Sequence, residues 1–235
     1  MGAIFRREFK TYFTNPIGYV VLAALLGISG YFFFVYNLLS GSADLTGVFG
    51  GLFTVSLLAI PFLTMRLFSE EKRQKTDQAL LTAPTSLTGI VLGKFFAALL
   101  LFTIGICITM VFAVIIALQT TPDWLVIIGN FLGLLLIGGL IISIGVFISS
   151  LTESQIIAAI GTLAISLVLM CVDMLSAIFN SITWITKAVE FLSISARYTN
   201  FVDGLINYDN VIFFLTLQAL FIFLTVRVLD SKRWN

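Results

Sequence analysis

The ionisable side chains of this 235-residue sequence are few, and the densest group lies in one stretch, Ser69–Lys94, SEEKRQKTDQALLTAPTSLTGIVLGK. Glu70, Glu71, Lys72, Arg73, Lys75 and Asp77 stand almost side by side there, a mixture suited to ion pairs and docking contacts rather than to catalysis. No histidine occurs, which removes imidazole metal ligands, Ser-His-Asp and Cys-His nucleophile pairs and imidazole proton relays. Asp44, Glu153, Asp173 and Glu190 are scattered, with no basic phosphate cradle beside them, so a membrane-embedded lipid-modifying enzyme is the weaker alternative. Gly89-Ile-Val-Leu-Gly93-Lys94-Phe95 is one residue short of a phosphate-binding loop, ends in Phe and opens an apolar segment, so no nucleotide site is expected in it. Catalytic, cofactor and metal sites are all expected to be absent. Cys107 and Cys171 lie within apolar segments, where thiols behave as small hydrophobes. Asp173 is the best candidate for a charged group on a transmembrane pathway. At about 1.5 Å per residue it falls roughly 27 Å beyond Gln155, near an interface, where a hydrated carboxylate is the plainer reading.

These residues must be positioned by a fold set in lipid. Hydrophobic residues make up 59% of the chain, charged residues 11%, and mean hydropathy is +1.09. Soluble domains carry about a quarter charged residues. The expected class is an all-α integral membrane protein, a single domain over 1–235, with six transmembrane helices of about 20 apolar residues each. They are Ile17–Leu39, Val48–Phe68, Phe95–Leu118, Trp124–Ser149, Gln155–Ser176 and Val211–Leu229. The first is too long for a signal-peptide core and has no small-x-small cleavage pattern, so it is read as a permanent span and the mature chain as starting near Met1. Arg6, Arg7, Lys10, Arg66, Lys72, Arg73, Lys75, Lys94, Arg227, Lys232 and Arg233 fall on one side of this layout, and Lys187 and Arg197 on the other. Positive charge marks the inner side, so both termini are expected to be cytoplasmic. In span four, Gly129-x-x-x-Gly133 and Gly138, Gly139 and Gly145 read as helix packing rather than a substrate groove.

Three elements lie outside the spans. Over residues 1–15 a helical wheel gathers Phe5, Phe9, Tyr12 and Phe13 opposite Arg6, Arg7 and Lys10, the pattern of a helix in the headgroup plane. Asn15-Pro16 ends it. Residues 177–210 suggest short helices at the outer mouth, with Trp184, Phe191, Tyr198 and Phe201 as an interfacial belt. In residues 69–94, a short helix with a Glu71–Lys75 pair would end near Pro84, and Thr85 or Ser86 would cap a second helix leading into span three. Composition alone fits a solvated loop equally well.

PFLTMRLFSEEKRQKTDQALLTAPTSLTGIVLGKF resembles the stretch after the second span in permease subunits of the type-2 ABC exporter family, where an acidic-basic run leads through GT-x-E-x-LL-x-x-P to Gly-Lys. REFKTYFTNPIGYV and SARYTNFVDGLINYDNVIFF resemble the same group, nearest its gliding-motility-type permeases. Lys75 stands where that pattern usually has Gly, and Gln78 where it usually has Glu. The resemblance implies a permease of a bacterial inner-membrane exporter, with an interfacial helix, an inner coupling helix between spans two and three, and helices before span six. Its ATPase-coupling residues would be Glu70, Glu71, Arg73, Thr76, Leu80, Leu81 and Pro84, with Leu80 and Leu81 buried in the ATPase and Lys72 and Gln74 on a solvated face. ATP and Mg would be bound by a separate ABC ATP-binding subunit. A second permease chain, a copy or a relative, would complete the bundle, and a membrane-anchored extracytoplasmic subunit would accompany the gliding type. The lipid bilayer, and no nucleic acid, would be the remaining partner. A non-transporting anchor of an envelope or motility complex is the alternative from another class.

Overall fold

The computed structural model describes residues 2–76, 86–178 and 194–234, side chains at 172–178, 196, 232 and 234 excepted. Helix α1 spans Gly2–Thr14. Asn15 is extended and Pro16 opens α2, Pro16–Phe33, as expected where proline fixes its own φ and bars helix from the residue before it. The chain folds back sharply there: a Cβ on Gly18 would lie 2.3 Å from the Tyr12 carbonyl oxygen, so only glycine allows the approach. A π-helical turn, Phe34–Leu39, finishes the first hairpin arm. Asn37 within it donates to the carbonyls of Ser42 (2.8 Å) and Asp44 (2.9 Å), closing the turn into α3, Thr46–Thr64.

The short α4, Ser69–Arg73, follows four residues later. Helix α5, Leu87–Ile106, starts well before Phe95, because Ser86 accepts a hydrogen bond from the Gly89 N–H and caps it. A break at Cys107 separates it from α6, Ile108–Ala117. Helix α7 is Trp124–Leu151, α8 is Gln155–Ile178, α9 is Ile194–Val202 and α10 is Tyr208–Trp234. Five stretches are long and apolar enough to cross a bilayer: Pro16–Leu39, Thr46–Arg73, Leu87–Ala117, Trp124–Leu151 and Tyr208–Ser231. Gln155–Cys171 is a shorter apolar helix, so five of the six expected spans meet the length requirement among the described residues. Cys107 and Cys171 are both exposed free thiols.

Helix α7 is the axis, buried along most of its length, while α2 and α10 keep broad apolar faces on the outside. Its glycines each admit a different neighbour: Gly138 faces the Phe102 ring of α5, Gly145 faces Thr64 of α3, and Gly139 faces Gln218 of α10. Gln218 donates to the Leu136 carbonyl at 2.9 Å, an interhelical bond from amide to backbone inside the bundle. Gly129 and Gly133 lie against Phe201 and Tyr198, so the small-residue pair seats α9.

A methyl group at Gly129 would sit 2.6 Å from the Phe201 carbonyl oxygen, a backbone atom that cannot rotate away, whereas one at Gly27 meets nothing within 4 Å. Gly129→Ala is therefore expected to lower stability by about 1–3 kcal/mol. Gly27→Ala should be neutral or slightly stabilising. Thermal unfolding in detergent checks both, and equal midpoints would refute the close α7–α9 contact.

Candidate functional site

Helix α1 directs Ile4, Glu8 and Tyr12, spaced by four, toward the bundle, with Glu8 and Tyr12 buried. This corrects the wheel, which places Tyr12 on the membrane face. Tyr12 instead donates its hydroxyl to the Leu63 carbonyl at 3.3 Å. Burial first, then the nearby Glu8 charge, pushes the Tyr12 hydroxyl far above its ordinary pKa, so it stays a neutral donor. Phe5, Phe9 and Phe13 stay half-buried along the flank of the bundle, Phe5 stacked on Phe9 and Phe13 edge-on to Phe9. The reason is Glu8: a carboxylate in that face must be turned toward a cation.

The cation is Lys94 of α5, 1% exposed. Gly93 just before it lets α1 approach, since a Cβ there would lie 3.1 Å from Ile4 and 3.3 Å from the Phe5 nitrogen. The Lys94 Nζ donates to the Leu67 carbonyl (2.6 Å) and pairs with Glu71 (2.9 Å) and Glu8 (3.2 Å), over the Phe68 ring at 4.9 Å. Arg7 closes the cluster from the solvent side, reaching Glu8 at 2.8 Å and Glu71 at 2.9 Å. Its pKa is raised by the hydrogen bond to Glu8, and by the Glu8 and Glu71 charges, against partial burial. Beside it Arg66 Nη2 and Nε bind Glu70 at 2.7 and 2.8 Å. Formal charge thus balances among Arg7, Arg66, Lys94, Glu8, Glu70 and Glu71. They line a cavity of about 380 Å³, into which Gln74 and Thr76 also face.

The same end of α7 grips α4 from the other side. Ser149 accepts from the Phe68 and Ser69 N–H groups (2.9 and 3.1 Å) and donates to the Met65 carbonyl (3.2 Å). Lys72 is buried and donates to the Ser150 carbonyl, so it does not occupy the solvated face that the sequence suggests. Helix α4 also stops earlier than expected. The N–H of Thr76 bonds the Glu71 carbonyl (2.9 Å) and that of Lys75 bonds the Lys72 carbonyl (3.0 Å), a Schellman ending with Lys75 at φ 55°. That is the left-handed conformation glycine favours, at the position where the type-2 exporter pattern usually has glycine. Glu71 accordingly pairs with Lys94 and Arg7, and the expected Glu71–Lys75 pair does not form.

Of the residues singled out in the sequence, Glu70 and Glu71 point into the cluster, Arg73 is exposed, and Thr76 caps α4 and binds the Glu71 carbonyl through its hydroxyl. Leu80, Leu81 and Pro84 lie outside the described residues, as does the side chain of Asp173. Arg7, Glu8, Arg66 and Lys94 complete a cluster that the sequence did not reveal as one. Their signals were a lone Glu inside a basic helix and a Lys one residue after a Gly in an apolar run. Gly89–Lys94 lies within α5, its lysine held by carboxylates. Residues 37–232 match the family model described as ABC-2 family transporter protein, and no curated protein matches the chain.

Removing one partner from a buried ion pair strands the other, at a cost of about 3–5 kcal/mol. Lys94→Met should therefore destabilise strongly, and adding Glu8→Gln should recover part of the loss, by unfolding in detergent. Lys75→Gly should act the other way, stabilising by about 1 kcal/mol, because a non-glycine residue bears a cost of that order in the left-handed region.

Proposed function

The chain belongs to the ABC-2 transporter family, and we propose that it is the permease subunit of an ATP-driven exporter, moving a substrate across or out of a bacterial inner membrane. It is a multi-pass membrane protein and the membrane component of an ABC transporter. In this reading α8 supplies the sixth span, both termini are cytoplasmic, ATP and Mg bind a separate ATP-binding subunit, and a second permease chain completes the pathway. A membrane-anchored extracytoplasmic subunit would belong to a gliding-type assembly.

One observation carries the coupling role. The base of the segment at 69–76 is fixed to three other helices at once: to α1 and α5 through Glu71, Lys94, Arg7 and Glu8, and to α7 through Ser149 and Lys72. A push delivered beyond Thr76 would reach α1, α5 and α7 together instead of being absorbed in a slack loop. Such a push shifts the bundle only if the ATPase binds its alternative arrangements with different affinity. Leu80 and Leu81 are the assigned apolar contact with the ATPase, Arg73 and Pro84 flank it, and Glu70, Glu71 and Thr76 transmit from it.

Tagged chain is expected to retain the ATP-binding subunit through purification. Leu80→Asp and Leu81→Asp should lose it, because an uncompensated carboxylate in a closed contact costs several kcal/mol or more. Gln74→Ala should shift association by less than about 1 kcal/mol. Wild-type retention and ATP hydrolysis in both aspartate variants would overturn the coupling role. For orientation, a cysteine at Lys75 should be shielded from an impermeant thiol reagent in intact cells and one at Lys187 labelled, once Cys107 and Cys171 are replaced. Labelling at Lys75 would reverse the topology.

A further inference from the structure

Helix α1 is tied to the bundle at both ends. Ile4 and Phe5 lie against Gly93, near the start of the span-length stretch Leu87–Ala117, and the Tyr12 hydroxyl bonds the Leu63 carbonyl near the end of α3. Asn15 alone separates α1 from the span-length stretch that opens at Pro16. A 13-residue helix is about 20 Å long, and the whole of it crosses the bundle at the level where Arg66 and Lys94 bring charge to the span ends.

Three sides of α1 are accounted for. Glu8 and Tyr12 face the bundle, and Arg7 faces the solvent-side cavity with Glu8 and Glu71. Phe5, Phe9 and Phe13 follow one another along the flank to the Tyr19 ring, 5.7 Å from Phe13 and 56% exposed on the outside of α2. At 3.6 residues per turn, Arg6 and Lys10 fall on the remaining side, opposite Glu8 and Tyr12 and between the phenylalanines and Arg7. Both are exposed, and neither has an ion pair among the described residues. Four residues apart, they stand about 6 Å from each other, a gap that one phosphate can bridge.

Their neighbours select the partner. An uncompensated cation pair beside an aromatic ladder that continues onto the exposed apolar surface of Tyr19 and Val20 fits an amphiphile with a net negative head. A zwitterionic head brings its own ammonium, which the pair repels. We propose that this face of α1 binds an anionic phospholipid of the phosphatidylglycerol type, its phosphate between Arg6 and Lys10 and one acyl chain along Phe9, Phe13 and Tyr19. The inference rests on the membrane-spanning fold and stands whether or not the chain couples to an ATPase.

The test is native mass spectrometry of delipidated chain titrated with dioleoyl phosphatidylglycerol, dioleoyl phosphatidylcholine or soluble glycerophosphoglycerol. The glycerol lipid should bind more tightly than the choline lipid. Arg6→Gln and Lys10→Gln should each weaken its first binding step about fivefold, the effect expected of one cation at a lipid surface, and together should abolish the preference. Both side chains are exposed and unpaired, so these variants should elute as the unaltered chain does. Arg227→Gln removes an exposed cation from α10 and should leave the preference intact. Equal binding of the two lipids by the unaltered chain, an undiminished preference in the double variant, or an equal loss in Arg227→Gln would overturn the proposal, the last in favour of diffuse attraction to the net charge. Loss of the ATP-binding subunit from a double variant that still prefers the glycerol lipid would overturn it in favour of a protein partner. Full competition by glycerophosphoglycerol would overturn the lipid assignment in favour of a free phosphate ester.

Discussion

An ammonium withdrawn from water has to be met by oxygen, and Lys94 is withdrawn almost completely. None of that oxygen comes from its own helix. Glu8 arrives from α1, Glu71 from α4, and the Leu67 carbonyl from the turn between α3 and α4. Three separate pieces of chain are thereby held to one nitrogen, and the rest of this end follows: Gly93 has to be small, α1 has to turn its carboxylate inward, and the phenylalanines of α1 are left half-buried along its flank. Burying such a cluster is not a large net gain, since desolvation offsets most of the attraction, and apolar replacements of equal volume are often as stable. Its contribution is registration. An apolar patch would tolerate sliding of α1 along α5, whereas Lys94 and Glu8 fix one position.

The opposite organisation prevails along α7. There the contacts are short-range, glycine against ring, hydroxyl, amide or carbonyl, and each neighbour finds its own notch. Close packing with few polar ties suits helices in lipid, where no hydrophobic force draws apolar surfaces together and fit supplies the attraction. The base and the axis of the molecule are thus built on different physics: an ion-paired base that resists sliding, and a notched axis on which neighbours are placed by shape. Helices α2 and α10 keep broad apolar faces exposed, surface of the kind a bilayer can cover.

What was legible in the sequence was local. Apolar runs gave five of the six expected spans among the described residues, Asn15-Pro16 gave the break, and Ser86, one of two candidate caps, marked the start of α5 because a cap depends on a few neighbouring residues. Span ends were less legible: α5 and its apolar stretch begin at Leu87, whereas the charge of Lys94 put the expected start at Phe95. The cluster was not legible because Glu8 and Lys94 are 86 residues apart and nothing local betrays their pairing. Tyr12 was misplaced because a wheel groups aromatics by polarity, without knowing that a neighbouring acid will rotate the helix. Lys72 was misplaced for the related reason that a lysine in a charge run looks solvated until a carbonyl at the end of α7 is brought beside it.

Every charged member of the Lys94 cluster lies between Arg7 and Lys94, ahead of the axial helix α7 in the order of synthesis. Chains emerge N-terminus first at a pace of about 5–20 residues per second. The acids are therefore made before the lysine that needs them, and that lysine enters its apolar segment with its counter-charges already present. Only later does α7 bring Ser149 and Ser150 against a base that can already be assembled. The chain order itself guards a buried charge from ever waiting alone at the membrane.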